Sequence, residues 1–413
     1  IMNPDRNNFA PRLGLAWQPG FSKTTLIRAG AGLYYSEFPW LFAPYPLISP
    51  SPTATGQSFT NSLTTATPTY VLGTNVFAPV PSAKLTDAFA ANLSPGTFVT
   101  LLNRNLRTSY ASQWHLALQQ NVGPNDFVEL AYLGSSAHRL PNIVDMGQCR
   151  ATPDLFCDQG TRPWPRYGLM LYQDGAGNSS NQAFVAKYEH RMGGGLNLRF
   201  EYTFAKALSD SWQAANVSGN QVTNCRRCSK GPTTFDTRHR AVASVVWQIP
   251  FERRGRWQSA ALGAWTVTAI TLFSTGQPVN LRGPNQTGSP FITHLPDRIC
   301  DGRNDQLAND VRNNGLLWFD TTCFRSARVG YFGNSGPTVL TGPGVANWDL
   351  GVEKSFPLQN ETTRLQFRAE MFNAWNHAQF LQPNGDSGAG ANFGRISATR
   401  PPRLVQLAIK LLW

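Results

Sequence analysis

The sequence predicts an all-β chain: an antiparallel transmembrane β-barrel of about eleven strands carrying long extracellular loops. Three observations point there. Apolar and polar residues alternate with period two in segment after segment, short turns alternate with long loops, and mid-strand charges keep to one parity of the alternation. Composition narrows the field first. Gly 36 and Pro 29 in 413 residues are too many for a helical bundle. Only 15% of residues are charged while 12% are aromatic, the reverse of a disordered chain. No apolar run reaches the roughly 18 residues that a membrane-spanning helix requires. The opening Ile1-Met2-Asn3-Pro4-Asp5-Arg6 has neither the basic start nor the apolar core of a signal peptide, so the true beginning is expected upstream.

The clearest strand runs from Leu196 to Lys206, with Leu196, Leu198, Phe200, Tyr202 and Phe204 on one face and Asn197, Arg199, Glu201 and Thr203 on the other. Leu365, Phe367, Ala369 and Met371 oppose Gln366, Arg368 and Glu370 in the same way. At the C-terminus Val405, Leu407, Ile409, Leu411 and Trp413 oppose Gln406, Ala408 and Lys410. Weaker alternation marks Trp114–Leu118, Val128–Tyr132 and Phe184–Tyr188, while Ala241–Trp247 is the least amphipathic. The strands are expected to run roughly 9–12 residues, the length a tilted strand needs to cross a bilayer.

Short polar or Gly/Pro turns are expected at Pro19–Lys23, Gly123–Asp126, Arg191–Gly195, Pro250–Arg256 and Pro357–Thr362. Long segments separate them: Ser36–Thr108, Ser136–Ser180, Ser209–Phe235, Arg282–Ala346 and His377–Pro402. Short turns on one side and long loops on the other are the layout of an outer-membrane barrel. A soluble sandwich is the rival, but its strands are usually shorter, about 5–6 residues. The first strand, Arg12–Trp17, and the last both run toward the short-turn side. An odd count cannot close antiparallel, so residues 1–413 are expected to be the C-terminal part of a larger barrel.

A Lys or Arg on the lipid face of a barrel costs about 2–4 kcal/mol at the midplane and little at the rim. Arg28, Lys187, Arg199, Arg364, Arg368 and Lys410 all take the inward parity. Lys206 and Lys354 take the outward one, but at strand ends where a lysine snorkels. The residues expected to line the lumen are Arg28, His115, Glu129, Lys187, Glu189, Arg199, Glu201, Gln366, Arg368 and Glu370. Aromatics gather near both strand ends, as two interfacial girdles would. Trp17, Trp247, Trp348 and Trp413 are the expected membrane-interface anchors.

Six cysteines fall two to a loop: Cys149 with Cys157, Cys225 with Cys228, Cys300 with Cys323. Loop-local disulfides in an oxidising compartment are one reading. Free thiols, or a metal or redox role for Cys225-Arg226-Arg227-Cys228, are the others, although a structural zinc needs further ligands. Catalytic and cofactor signatures are missing: no H-E-x-x-H, no G-x-S-x-G, no Walker sequence, and Gly30-x-Gly32 lacks the third glycine of a dinucleotide fingerprint. No cofactor is expected. The net charge of +12 is spread over loops and lumen rather than gathered with stacking aromatics, which argues against nucleic acid and for anionic lipopolysaccharide as a neighbour.

Specific strings then bear on kinship. NNFAPRLGLAW (Asn7–Trp17), FDTRHR (Phe235–Arg240), STGQP (Ser274–Pro278) and WFDTTCF (Trp318–Phe324) occur in order. YFGNSG (Tyr331–Gly336), LTGPGVANWDL (Leu340–Leu350), FRAEMFNAWNHAQF (Phe367–Phe380) and FGRISATRPPRLVQLAIKLLW (Phe393–Trp413) follow. Together these resemble the C-terminal barrel region of TonB-dependent outer-membrane receptors of the Oar-like kind abundant in Acidobacteria. The resemblance implies a 22-stranded barrel with a plug in its lumen, coupling to the TonB complex through an N-terminal region not contained here, and a carboxypeptidase-regulatory-like domain ahead of the plug. It also implies that the barrel-assembly machinery recognises the terminal strand ending at Trp413. The sequence thus reads as a non-enzymatic outer-membrane transporter of the bacterial cell. A surface-displayed structural or adhesive β-protein is the second reading, and a hydrolytic one would require paired carboxylates about 5–10 Å apart in a cleft.

Overall fold

A computed structural model of the chain describes residues 3, 5–36, 97–103, 105–164, 167–211, 220–251, 262–289, 293–358 and 363–413. Its spine is an antiparallel meander in which each strand pairs with the next. The first six strands are β1 (Arg12–Trp17), β2 (Thr25–Ser36), β3 (Ser109–Asn121), β4 (Asp126–Asp145), β5 (Tyr167–Gly193) and β6 (Leu196–Ser209). The remaining five are β7 (His239–Gln248), β8 (Trp265–Ser274), β9 (Val345–Pro357), β10 (Arg364–Phe372) and β11 (Leu404–Leu412). Two further pieces join the sheet: Gly231–Pro232 against β6, and Thr97–Leu102, which pairs with β5 in parallel. Among the described residues β1 pairs with β2 and β11 with β10, and the sheet is not closed.

Because side chains of directly opposed residues point to one side, the register sorts the sheet into two faces. Tyr132, Phe184, Phe204 and His239 stand in one transverse row across β4 to β7. With them on the apolar face lie Leu116, Leu118, Leu130, Phe200, Phe273 and the odd-numbered residues of β11, all strongly exposed. The other face carries Gln119, Glu129, Lys187 and Glu201 in one row. Exposed Leu, Phe and Trp on one side and carboxylates on the other invert a soluble protein, whose large exposed apolar patches are small and rare.

Local chemistry sets the turns. The β5–β6 hairpin closes through Gly194 and Gly195, both at positive φ (60° and 79°), the left-handed conformation that a two-residue turn demands. Gly134, opposite Trp114 on the apolar face, leaves space for the indole, which a Cβ there would overlap. On the polar face the His115 imidazole covers Gly30 in the same manner.

Strand lengths depart from the expected 9–12 residues. β4 and β5 span 20 and 27 residues, so Ser136–Ser180 is loop only in its middle. The extension alternates poorly because both of its sides are covered: Ile143, Val144, Met170 and Leu171 are buried together with Asn142 and Asp145. Residues 252–256 and 359–362 of two expected turns, and most of the segment Ser36–Thr108, lie outside the described residues.

Candidate functional site

The polar face and the loops above it form the candidate site. All ten expected lumen residues share the polar face by register. Eight of them are brought together in clusters. Lys187 Nζ lies 3.3 Å from Glu129 Oε1 and 3.8 Å from Glu201 Oε2, and Gln119 donates to Glu129 Oε2 at 2.5 Å. One step toward the short turns, Glu189 receives Arg199 at 3.1 Å and Arg191 at 2.5 Å. On β9 and β10, Arg368 bridges Glu353 and Glu370, each at 3.6 Å, while Gln366 donates to Glu353 at 2.6 Å. Arg28 and His115 stand apart, without an ion pair among the described residues. Glu353 and Gln119 escaped the sequence reading of the lumen set, although their parity marks them.

These carboxylates each lie beside a cation or an amide donor, so they act as fixed charges along the wall. Ala117, Ala131 and Val185 form a buried apolar cluster one row from the Glu129–Lys187 pair. On the apolar face, Trp17 and Trp247 are exposed, Trp348 packs edge-on against Phe273 at 5.6 Å, and Trp413, just past the last strand, is exposed. Lys354 also takes this face, as its parity requires. It is 2% exposed, its ammonium sits 5.2 Å from the Trp265 ring and 5.3 Å from Phe356, and it donates to the Gly263 carbonyl at the short-turn rim.

The long loops fold into a cap with cores of their own, which the sequence did not announce. One core gathers Val279, Leu281, Phe319, Phe324, Leu340 and Phe393, with the three phenyl rings packed edge to face at 5.3–6.2 Å. A second joins Cys149, Cys157, Val222 and Phe332 from three different loops. The three cysteine pairs are disulfides, Cys149–Cys157, Cys225–Cys228 and Cys300–Cys323, so all six cysteines are paired. Cys157 opens a two-residue strand within its loop rather than lying in irregular chain. Gln221 ties the loops together: its amide donates to the Gly333 carbonyl at 2.8 Å and accepts from the Leu295 N–H at 2.6 Å, and its carbonyl accepts from Gln148 at 2.9 Å. At the foot of the cap Asp145 is fully buried and accepts from the Gly147 and Met170 amides at 2.9 and 3.0 Å. Burial nevertheless holds its carboxyl above the usual carboxylate range.

An antiparallel meander with an exposed apolar face, an ion-paired polar face and a loop cap at one end defines the class: a β-barrel membrane protein. The chain belongs to the outer membrane beta barrel domain family, which it matches over residues 1–406, and its place is the bacterial outer membrane. No curated protein matches it significantly. Among solved structures it is similar to the outer membrane transporter YddB from Escherichia coli, at 11% identity and a TM-score of 0.46, covering 98% of this chain and 40% of that one. It is also similar to the FrpB iron transporter from Neisseria meningitidis (11% identity, 97% and 39% covered, TM-score 0.42). A third is BauA, the ferric preacinetobactin receptor from Acinetobacter baumannii (11%, 97% and 36%, TM-score 0.44). The chain therefore spans less than half the length of each.

Proposed function

We propose that this chain is the C-terminal part of the barrel of a TonB-dependent outer-membrane receptor that takes up a substrate without enzymatic chemistry. The row Gln119–Glu129–Lys187–Glu201 carries the reading. Charges halfway along strands persist in a bilayer only where they face water or protein, so that face lines an interior. The capped loops receive the substrate from outside, and the polar wall accompanies it inward once a plug has been rearranged from the periplasm by the TonB complex. The exposed apolar face meets lipid and lipopolysaccharide, with Trp17, Trp247, Trp348 and Trp413 at its rims. The alternating terminal strand is what the barrel-assembly machinery engages.

Fractionation and genetics test this together. The protein is expected in the outer membrane as a detergent-extracted, heat-modifiable species. Deleting its gene and deleting TonB should produce the same growth defect across a panel of sole carbon and iron sources, without additivity. A soluble or filamentous product, or uptake indifferent to TonB, overturns the reading.

A further inference from the structure

The Cys225–Cys228 disulfide is built differently from the other two. Its cysteines are three residues apart and are bridged by a single 3-10 turn, Arg226–Ser229. The Cys228 N–H donates to the Cys225 carbonyl at 3.1 Å, and the Lys230 N–H to that of Arg227 at 3.3 Å. Just upstream, Gln221 and Thr223 are tied to Gln148, Leu295 and Gly333. Bonds that do not involve sulfur therefore hold the turn, and opening the S–S bond frees only a very short loop. Cys149 and Cys157, by contrast, are 2% and 3% exposed inside a cap core, and Cys300–Cys323 spans 23 residues onto a buried Cys323. Cys225 and Cys228 are both half-buried, and of the two only Cys225 packs against the core of Val222 and Phe332. The Cys228 end of the bond is clear of that core.

The charge around this bond is one-sided. From Asn220 to Phe235 the chain carries Arg226, Arg227 and Lys230 and no carboxylate. All three cations are exposed. Arg226 donates to the Ala176 carbonyl, while Arg227 and Lys230 have no ion pair among the described residues. Each of the other disulfides has an aspartate directly after one of its cysteines, Asp158 after Cys157 and Asp301 after Cys300. Exchange begins when a thiolate attacks one sulfur and the other departs as a thiolate. Cations beside the bond stabilise the departing charge and draw in a negatively charged attacker, and a carboxylate does the opposite. We propose that Cys225–Cys228 is a reversible thiol–disulfide exchange site on the cap, selective for small thiols that also carry a carboxylate or sulfonate. The incoming thiolate bonds to Cys228 Sγ, the Cys225–Cys228 bond breaks, and Cys225 leaves with the electron pair and takes a proton from water. A second thiolate then releases Cys228 in the same way. The protein disulfide gains two electrons, and two small thiols are oxidised to one disulfide. None of this depends on the transport reading, since it needs neither a plug nor TonB.

The test uses the full chain, refolded in detergent with its disulfides intact. It is mixed without oxygen with 2-mercaptoethanesulfonate, 2-mercaptoethanol or cysteamine at matched thiolate concentrations. Samples quenched in acid are alkylated, and each cysteine is scored by peptide mass spectrometry. Cys225 and Cys228 are expected to open about tenfold or more ahead of the other two pairs. At this bond the sulfonate thiol should outpace cysteamine, relative to their rates on 2-hydroxyethyl disulfide, and the advantage should shrink in about 1 M salt. Arg227→Gln should slow the sulfonate thiol about threefold and cysteamine by less, with heat-modifiability confirming the fold. Adding 2-hydroxyethyl disulfide in excess should close the bond again. Opening no faster than the other pairs, or rates at Cys225–Cys228 indifferent to the charge of the thiol, overturns the proposal.

Discussion

The Lys187 ammonium lies 3.3 Å from the Glu129 carboxylate, its direct partner across the β4–β5 ladder, and 3.8 Å from Glu201 on the opposite neighbour. Lys187 and Glu201 are each about a third exposed, so water screens part of the attraction. A double-mutant cycle of Lys187→Met and Glu129→Gln is expected to give a coupling of about 0.5–1 kcal/mol by urea unfolding in lipid vesicles. Lys187→Glu should cost more than Lys187→Met, because it places three carboxylates in one row. Equal costs would contradict the shared row.

Register can be tested by moving one charge one residue. Arg199 lies on the polar face of the sheet and Phe200 on the exposed apolar face. Phe200→Arg is expected to destabilise the barrel by about 2–4 kcal/mol, the cost of an arginine near the midplane of the lipid face. Thr203→Arg, on the polar face of the same strand, should cost well under half of that. Similar losses at both positions would mean the faces are misassigned.

All six cysteines being paired makes accessibility measurable with single introduced thiols. Glu201→Cys should react with a charged, membrane-impermeant maleimide, and Tyr202→Cys only with a lipid-soluble one. The opposite pattern would reverse the faces.

Reduction is expected to loosen the cap before the sheet. The loop-entropy relation assigns about 3 kcal/mol to Cys300–Cys323, with a separation of 23 residues, and about 2 kcal/mol to Cys225–Cys228, with a separation of 3. Replacing the first pair by alanine should therefore expose cap amides to hydrogen exchange more than replacing the second, with β6–β8 protection unchanged. Equal exchange in both variants would refute that ordering.

Acid should tighten the foot of the cap. Burial raises the folded-state pKa of Asp145 above its unfolded value of about 3.8, so the folded state holds the proton more firmly. The burial penalty on the charged form is then fully present above the folded pKa and is relieved as pH falls toward the unfolded one. Asp145→Asn keeps an acceptor for Gly147 and Met170, and is expected to raise protection of those amides near pH 7 and to remove its pH dependence. Protection that falls on acidification in the native protein, and remains pH-dependent in the variant, would count against this.

How much of this was legible beforehand follows from the range of each interaction. Alternation in Leu196–Lys206 and in Val405–Trp413 is local, because a strand sends successive side chains to opposite sides. The two faces, the inward parity of Arg199 and Arg368, and the partition of the cysteines by loop could therefore be read directly from the chain. The full length of β4 and β5 could not, because consecutive residues Asn142–Asp145 and Met170–Leu171 are buried, so both sides are covered there and the period-two signal is lost.

The sequence by itself determined the strands, their facing and the class of membrane protein, since period two is written into neighbouring residues. Only the tertiary structure decided which polar residues meet. It placed Glu353 beside Arg368, and brought Phe319 against Phe393 across more than seventy residues. The first depends on the register of the β9–β10 pair, and the second on how loops from distant turns pack against one another, which no periodicity in the chain encodes.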